Sequence, residues 1–290
     1  MTEKTNLKSL TGSPLTGVIL MAVAMLVIPV VDGLAKYLST GHSPLYIGWA
    51  RYASACVIVL PFAMFSHGRR IFPQHNIGLH ILRTIFLMSA MTLFFVAISR
   101  TSLATAVSAY FIAPIIASLL AMLFLKERLT ILKGVAMALG FCGAMIILQP
   151  GGHMDAGVLM AMGAGALFAL YMITTRLASR QSDPVRTLAF QCLFGALILT
   201  PQAIWTWSVP ALEELPLFLA MGGVSACSHL LSITAFRHAG ASTLAPLVYL
   251  ELVSASIIGY LVFSESPDAA IWIGSGVIVL GGLLLTRIKS

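Results

Sequence analysis

Long apolar segments alternate with short polar connections along almost the whole chain. Each segment holds about 20 residues, the length that a helix needs to cross the hydrocarbon core of a bilayer. The pattern therefore predicts an all-α polytopic membrane protein with ten transmembrane helices, preceded by a polar tail over residues 1–15. The ten predicted spans are 16–38, 45–66, 78–98, 102–125, 130–149, 156–178, 185–205, 214–236, 241–263 and 269–287.

The composition agrees with this fold class and excludes an ordinary soluble domain. Of the 290 residues, 59% are hydrophobic and only 9% are charged, whereas soluble domains carry about 25% charged residues. A transmembrane β-barrel would show short alternating segments rather than long apolar runs. Because no long polar domain interrupts the spans, the function has to reside in the membrane part.

Lysine and arginine lie almost entirely on one side of the predicted membrane. The positive-inside rule makes that side the cytoplasm, and an even number of spans places both termini there. The same bias accounts for the formal charge of +7, so no nucleic-acid partner is inferred. The basic set comprises Lys4, Lys8, Arg69, Arg70, Lys126, Arg128, Lys133, Arg176, Arg180, Arg186, Arg237, Arg287 and Lys289.

The second half of the chain repeats the first, and the expected units are residues 16–150 and 151–290. At an offset of 140, Pro44 matches Pro184. Each unit has five spans, an odd number, so consecutive units insert in opposite directions and form inverted repeats. Shared hydrophobic composition is the alternative explanation. Further matches, at offsets of 140 or 138, are Gly17 with Gly157, Pro61 with Pro201, Ala63 with Ala203, Ala97 with Ala235, Thr105 with Thr243, Ala117 with Ala255, Glu127 with Glu265 and Gly143 with Gly281.

The stretch over residues 242–265 combines an apolar span with polar interruptions. It carries Pro246 near its start and Glu251 about a third of the way in. A carboxylate at membrane depth costs about 2–3 kcal/mol or more, so it normally faces a partner or a wet cavity. Residues 105–127 align with residues 243–265 without a gap. A span that occurs twice, with a buried charge in one copy, indicates a polar site where the two repeats meet.

Two motifs carry a resemblance to a known family. The sequence AYFIAPIIASLLAMLFLKERLT resembles the motif of the EamA-type drug/metabolite transporters, and LAPLVYLELVSASIIGYLVFSESPD resembles its second copy. The second copy lacks a Lys or Arg beside Glu265, in agreement with the charge rule for the opposite side. Shorter matches over 29–37, 80–83 and 249–252 resemble the S-adenosylmethionine transporter branch. Other branches of the family carry riboflavin, amino acids or unknown metabolites.

Four charged residues of the first three spans are candidates for the site. Asp32 and Lys36 lie one helical turn apart, in the order that favours an ion pair. That pair is either structural, with Lys36 reaching the outer surface, or Asp32 is where substrate or a proton competes. Arg51 is a candidate for binding a carboxylate or for neutralising Asp32 or Glu251. Arg83, near the basic side, is expected to snorkel to the surface or to act as a gate there.

Glu251 is the strongest candidate for coupling, because it is the deepest acid in the predicted membrane part. A neutral carboxyl group at that depth suits proton coupling, and an ionised one suits an organic cation. The alternative is a buried pair with Arg51, Lys36 or Arg83 that ties the two halves together. His229 is a candidate for a proton relay, or is simply an interior histidine.

Aromatic side chains are candidates for lining a cavity that takes a cationic or aromatic substrate. Tyr110 and Tyr249 are expected to contribute to substrate binding, although Tyr249 faces a different side of its helix from Glu251. The other candidates are Tyr37, Phe111 and Tyr171. The tryptophans near helix ends are expected to be interfacial anchors: Trp205, Trp207 and Trp272.

The sequence contains no HExxH, GxSxG or Walker motif. Its four cysteines lie inside apolar runs without the spacing of a metal site. We therefore expect no catalytic residue, no bound metal and no cofactor.

The sequence thus predicts a secondary active transporter of a small polar metabolite that works by alternating access, coupled to protons or by exchange. The expected substrate is an amino acid or an amino-acid-derived, cationic or aromatic compound such as S-adenosylmethionine. Alternatives are a carrier of riboflavin or another vitamin or drug-like metabolite, or, from another class, a membrane-embedded enzyme or a structural subunit. The expected location is a bacterial inner membrane, with the substrate and the lipid bilayer as partners and a homodimer left open.

Overall fold

Ten apolar helices make up most of the part of the chain that the structure describes. A computed structural model describes residues 13–98, 100, 106, 109–148, 156–179, 181–263 and 269–286. Eight helical stretches are long and apolar enough to cross a membrane, and the fourth and tenth helices are shorter but equally apolar. The predicted all-α polytopic fold is thereby confirmed. The helices are α1 Pro14–Leu38, α2 Pro44–His67, α3 Ile77–Ile98, α4 Ala113–Leu125, α5 Ile131–Leu148, α6 Ala156–Ser179, α7 Pro184–Trp205, α8 Leu215–His238, α9 Leu250–Phe263 and α10 Ala269–Leu285.

Equivalent helices of the two halves begin with the same local signal. Pro44 opens α2 and Pro184 opens α7, where the fixed φ of proline suits the first helical turn and its missing N–H costs nothing. Asp183 caps α7 by accepting hydrogen bonds from the backbone N–H groups of Val185 and Arg186, at 2.9 and 3.3 Å. The repeated proline therefore sets the same helix start in both halves.

The helices pack with the symmetry of a pseudo-twofold axis. α1 packs against α8, and its counterpart α6 packs against α3; likewise α9 packs against α1 and α4 against α6. Each contact becomes the other when the two halves are exchanged. α2 packs against its own counterpart α7, and α5 against its counterpart α10. The repeat seen in the sequence is therefore also a repeat of packing.

The crossing of α5 and α10 gives the relative direction of the two halves. A Cβ added at Gly143 would meet the backbone oxygen of Gly274, and one added at Gly281 would meet that of Ala136. With the offset of 138, these are the same contact viewed from each repeat. Residue numbers rise along one helix as they fall along the other, so the equivalent helices are antiparallel. The two five-helix repeats are inverted, as predicted.

The pair α2 and α7 is antiparallel as well. Gln202 Nε2 donates to the Leu45 oxygen at 3.2 Å, and Trp49 Nε1 donates to Thr200 Oγ1 at 3.3 Å. These hydrogen bonds fix the register of the pair at the end of the bundle opposite the basic loops.

The ninth predicted span is interrupted, unlike the continuous helix that its apolar pattern predicts. A helical turn, Ala241–Leu244, and a 3-10 segment, Ala245–Tyr249, precede α9. Pro246 lies in the 3-10 segment, where it has no N–H to continue an α-helical ladder. The interruption places Glu251 in the first turn of α9.

The two repeats meet in an aromatic contact next to this interruption. Phe111 and Tyr249 are equivalent positions at the offset of 138, and their rings stack with centroids 5.5 Å apart. The Tyr249 hydroxyl also donates to the Phe111 backbone oxygen at 3.0 Å. Two residues further on, Ala113 of the first repeat is equivalent to Glu251 of the second. The interior acid is therefore a property of one repeat alone.

Candidate functional site

We infer from the position and the exposure of Asp32 that it lines an open space inside the bundle. At about 100° per residue, it lies about 140° around α1 from a stripe of exposed apolar side chains, on the same face as buried Met21 and Met25. Its own side chain is nevertheless exposed, although protein surrounds it closely. Both observations hold for a side chain on the wall of an interior chamber. The exposed stripe consists of Leu15, Ile19, Val23, Leu26 and Val30.

Glu251 faces the same chamber from α9. It lies about 130° around that helix from the exposed apolar side chains of Ile257, Tyr260 and Leu261, although exposed Val262, near the end of α9, lies on the side of Glu251. It is partly exposed and is near enough to Asp32 for their charges to interact. Within the described part of the chain, neither carboxylate has a basic group within the 4.0 Å of a salt bridge. Two acids from opposite repeats thus share one accessible space without a direct ion pair to Arg51 or Arg83.

Arg51 supplies the positive wall of the chamber. It is 9% exposed, donates from Nη2 to the Tyr52 hydroxyl at 3.2 Å and also contacts the Met91 sulfur. Its guanidinium carbon lies 4.9 Å from the centre of the Tyr52 ring. The charge of Arg51 acts on Asp32 without a salt bridge to it. Arg51 therefore offsets the negative charge of the chamber, and its contacts with Tyr52 and Met91 hold its side chain in place.

Tyr110 belongs to an aromatic wall between the acids and α6. Its ring centroid lies 5.1 Å from that of Phe94, 5.6 Å from Phe168 and 6.0 Å from Phe111. The charges of Glu251 and Asp32 both act on it. An aromatic wall beside two carboxylates suits a ligand with a flat or cationic part.

Arg83 is fully buried, so the expectation that it snorkels to the surface is wrong. It is 0% exposed. Its Nε donates to Thr175 Oγ1 at 3.2 Å, and its Nη2 donates to the Tyr171 hydroxyl at 3.2 Å and to Gln191 Oε1 at 2.7 Å. We call these four residues the Arg83 cage. It joins α3 of the first repeat to α6 and α7 of the second.

The remaining predicted site residues are placed as follows. Tyr249 is 0% exposed and packs between α4 and α5, so it does not line the chamber in this conformation. His229 is partly exposed on α8, within range of the charges of Arg51 and Arg83. Lys36 belongs to α1, but its side chain lies outside the part of the chain that the structure describes.

Glu127 closes the interface between the repeats at its basic end. Its carboxylate accepts hydrogen bonds from Ala241 N at 3.2 Å, from Ser242 N at 3.0 Å and from Ser242 Oγ at 2.8 Å. Arg176 Nε donates to the same carboxylate at 3.4 Å. Lys133 Nζ adds a bond to Ser242 Oγ at 3.0 Å. We call Glu127, Lys133, Arg176 and Ser242 the basic-end latch.

The latch and the residues that follow it are closely packed at the basic end. Every residue from 241 to 249 is buried, whereas Asp32, nearer the opposite end of the bundle, is exposed. Sequence reasoning noticed Glu127 only as part of a motif and missed Gln191 and Thr175 altogether. The single available signal for Gln191 was a long polar side chain inside the otherwise apolar run of α7.

Comparisons with known proteins agree with this architecture. A model of the EamA-like transporter family matches residues 15–149 and 155–287. The S-adenosylmethionine uptake transporter of Rickettsia bellii is 28% identical over 255 residues, which cover 88% of this chain and 87% of that protein. The riboflavin transporter of Vibrio cholerae is 26% identical over 288 residues, 96% of this chain and 95% of that protein. A crystal structure at 18% identity superposes with a TM-score of 0.80 over 94% of this chain and 99% of its own, which shows the fold alone.

Proposed function

Because the chain belongs to the EamA-like transporter family, we propose that it is a secondary active transporter of a small polar metabolite that works by alternating access. The observation that supports the proposal is the pair Asp32 and Glu251, two acids from opposite repeats that are exposed or half-exposed and lie within range of each other's charge. Within the described part of the chain neither acid has an ion pair, and acids at membrane depth are functional residues by default, because their burial is costly. Carriers built from inverted repeats place substrate and coupling ions at the repeat interface.

The chemistry of the chamber favours a substrate that carries a positive charge and a flat ring. The two acids attract a cation, and Tyr110 with Phe94 and Phe168 offers ring faces to it. S-adenosylmethionine, the compound in the printed name of the Rickettsia relative, has a sulfonium cation and an adenine ring. Riboflavin, named for the Vibrio relative, has a flat ring but no positive charge, so the aromatic wall favours it and the acids do not.

The two ends of the bundle have distinct parts in the proposed cycle. Lysine and arginine collect at the latch end, which by the positive-inside rule is the cytoplasmic side of a bacterial inner membrane. The described conformation has the latch made and the acids accessible, as in a state open to the outside. Substrate or a proton bound between Asp32 and Glu251 removes their mutual repulsion. The repeats then rock, so that the outer end of the bundle closes and the basic end opens.

Transport by purified protein in liposomes tests this proposal. Counterflow of labelled S-adenosylmethionine is expected in the wild-type protein, and Glu251→Gln is expected to reduce it by about tenfold or more, the equivalent of at least 1.4 kcal/mol. Glutamine keeps the size of the side chain and removes the charge, so the variant should fold and elute like the wild type.

A matched control separates the role of Glu251 from a general effect of charge removal. Glu213 is exposed at the opposite end from the latch, and Glu213→Gln is expected to transport normally. Normal counterflow in Glu251→Gln would remove this carboxylate from the mechanism. Counterflow of riboflavin but not of S-adenosylmethionine would favour the second candidate substrate.

A further inference from the structure

The Arg83 cage holds a buried positive charge whose partners are all neutral. Thr175, Tyr171 and Gln191 accept hydrogen bonds from two of its three nitrogens. In the described part of the chain, the third nitrogen, Nη1, is buried without a hydrogen-bond partner, and so is the amide nitrogen of Gln191. Both groups are donors, and both are 0% exposed as residues. The cage therefore presents two unused donors and lacks an acceptor.

The two unused donors belong to side chains that are hydrogen-bonded to each other. Arg83 Nη2 and Gln191 Oε1 share a hydrogen bond of 2.7 Å, and each unused nitrogen is attached to the carbon next to one of these atoms. Guanidinium and amide groups side by side present N–H groups in the pattern that matches the two oxygens of a carboxylate. A buried guanidinium without an anion is costly, so a site of this composition gains most from an anionic ligand.

The cage borders the chamber through a shared side chain. Tyr171 accepts the bond from Arg83 Nη2, and its ring centroid lies 5.6 Å from that of Phe168 in the aromatic wall. The hydroxyl groups of Tyr171 and Tyr110 are also near enough to interact. The cage thus lies on the latch side of the wall, with Asp32 and Glu251 beyond Tyr110.

We propose that Arg83 and Gln191 bind a carboxylate of the transported substrate during its passage to the basic end. This inference rests on the proposed function and narrows its substrate class to compounds that carry both a carboxylate and a cationic group, as amino-acid derivatives do. The acids bind the cationic part, and the Arg83 cage binds the carboxylate once the repeats rock and the cage opens. Without substrate, the cage closes upon itself and keeps two donors unused.

The substitution Gln191→Glu tests the missing acceptor directly, because it adds a carboxylate beside Arg83 without changing the size of the side chain. The ligand-free variant is expected to melt about 2–4 °C or more above the wild type. A matched control on the same helix is Gln202→Glu, whose amide bonds to the Leu45 oxygen outside the cage; no increase is expected there. An unchanged or lower melting temperature for Gln191→Glu would overturn the inference.

Transport provides the second measurement, with S-adenosylmethionine and its decarboxylated analogue as a matched pair of probes. The wild-type protein is expected to prefer the carboxylated compound by about tenfold or more, as befits a bidentate charge-assisted contact. In Gln191→Glu, the internal carboxylate occupies the cage, so transport of S-adenosylmethionine should fall to the level of the analogue while transport of the analogue is retained.

Each other outcome has a separate meaning. Equal transport of both probes by the wild type would overturn the role of Arg83 and leave the transporter proposal standing. A stabilised Gln191→Glu variant that still prefers the carboxylated probe would show that the carboxylate of the probe is bound elsewhere, and would also overturn the inference. If the wild type moves neither probe, the proposed substrate fails, and the ligand-free melting comparison alone decides whether the cage lacks an acceptor.

Discussion

The basic-end latch should control which end of the transporter is open, and Glu127→Gln is the substitution that tests it. Three hydrogen bonds of 3.2 Å or less, from Ala241 and Ser242, end on the Glu127 carboxylate. Hydrogen bonds to a charged group contribute about 1.5–3 kcal/mol each, against about 0.5–1.5 kcal/mol for neutral ones. The glutamine amide has only one acceptor oxygen, so the bonds to the other oxygen are lost and each remaining bond weakens by about 1 kcal/mol, a total of about 3 kcal/mol or more.

These bonds exist only while the latch is closed, so their loss shifts a conformational equilibrium rather than only the stability of the fold. A change of about 3 kcal/mol corresponds to about a hundredfold change in the ratio of latched to unlatched protein. The ion pair with Arg176, at 3.4 Å, is left out of this sum because such pairs contribute little near a surface. Glu127→Gln should therefore convert a mostly latched protein into a mixture in which a large fraction of the molecules have an open basic end.

The opening is measured by double electron–electron resonance between spin labels at the basic end. Arg128 and Gln181 are exposed there, in connections that belong to different repeats, so both accept labels in a background without other cysteines. A longer distance component is expected in Glu127→Gln and not in Glu213→Gln, the exposed control at the other end. A distance distribution identical to that of the wild type would refute the latch and reduce Glu127 to a local helix cap.

Two further predictions concern the contacts that join the repeats. Gly143→Val adds atoms against the backbone of α10, so overpacking should cost about 1–3 kcal/mol and lower the melting temperature by several degrees. The control is Gly276→Val, which should melt like the wild type because nothing lies within 4 Å of the added Cβ. Equal melting temperatures for the two variants would contradict the described crossing of α5 and α10. Tyr249→Phe leaves the Phe111 oxygen without its donor, which should lower the free energy of unfolding by about 1–3 kcal/mol and leave transport intact. A loss of transport at normal stability would instead indicate that Tyr249 contacts the substrate.

The number and order of the helices and most of their ends could be predicted from the sequence, because apolar runs and proline starts are local signals. The fourth span, expected over 102–125, is an exception, since the described helix α4 begins only at Ala113. The second span was expected over 45–66, and α2 covers Pro44–His67. The inverted arrangement followed from the odd number of spans in each repeat. The interruption before α9 did not follow, because Pro246 lies inside a run whose apolar character alone predicts one continuous helix.

The candidate site was predictable in part for a different reason. Acids at membrane depth are rare enough to be noticed singly, so Asp32 and Glu251 could be named from the sequence. Whether a basic residue in a span reaches the surface depends on its neighbours in other helices, so the sequence alone does not predict the burial of Arg83. Its partner Gln191 lies 108 positions away along the chain, and no local pattern connects the two.

The equivalence of Ala113 and Glu251 has a consequence for the transport cycle. Swapping the conformations of the two repeats converts one facing state into the other in shape, but a methyl group stands on one side where a carboxyl group stands on the other. In the proposed cycle the outward-facing and inward-facing states therefore share a geometry but differ in electrostatics. A change at a single position in one copy of a duplicated scaffold can thus make the two states bind a ligand unequally, while the gradients set the net direction of transport.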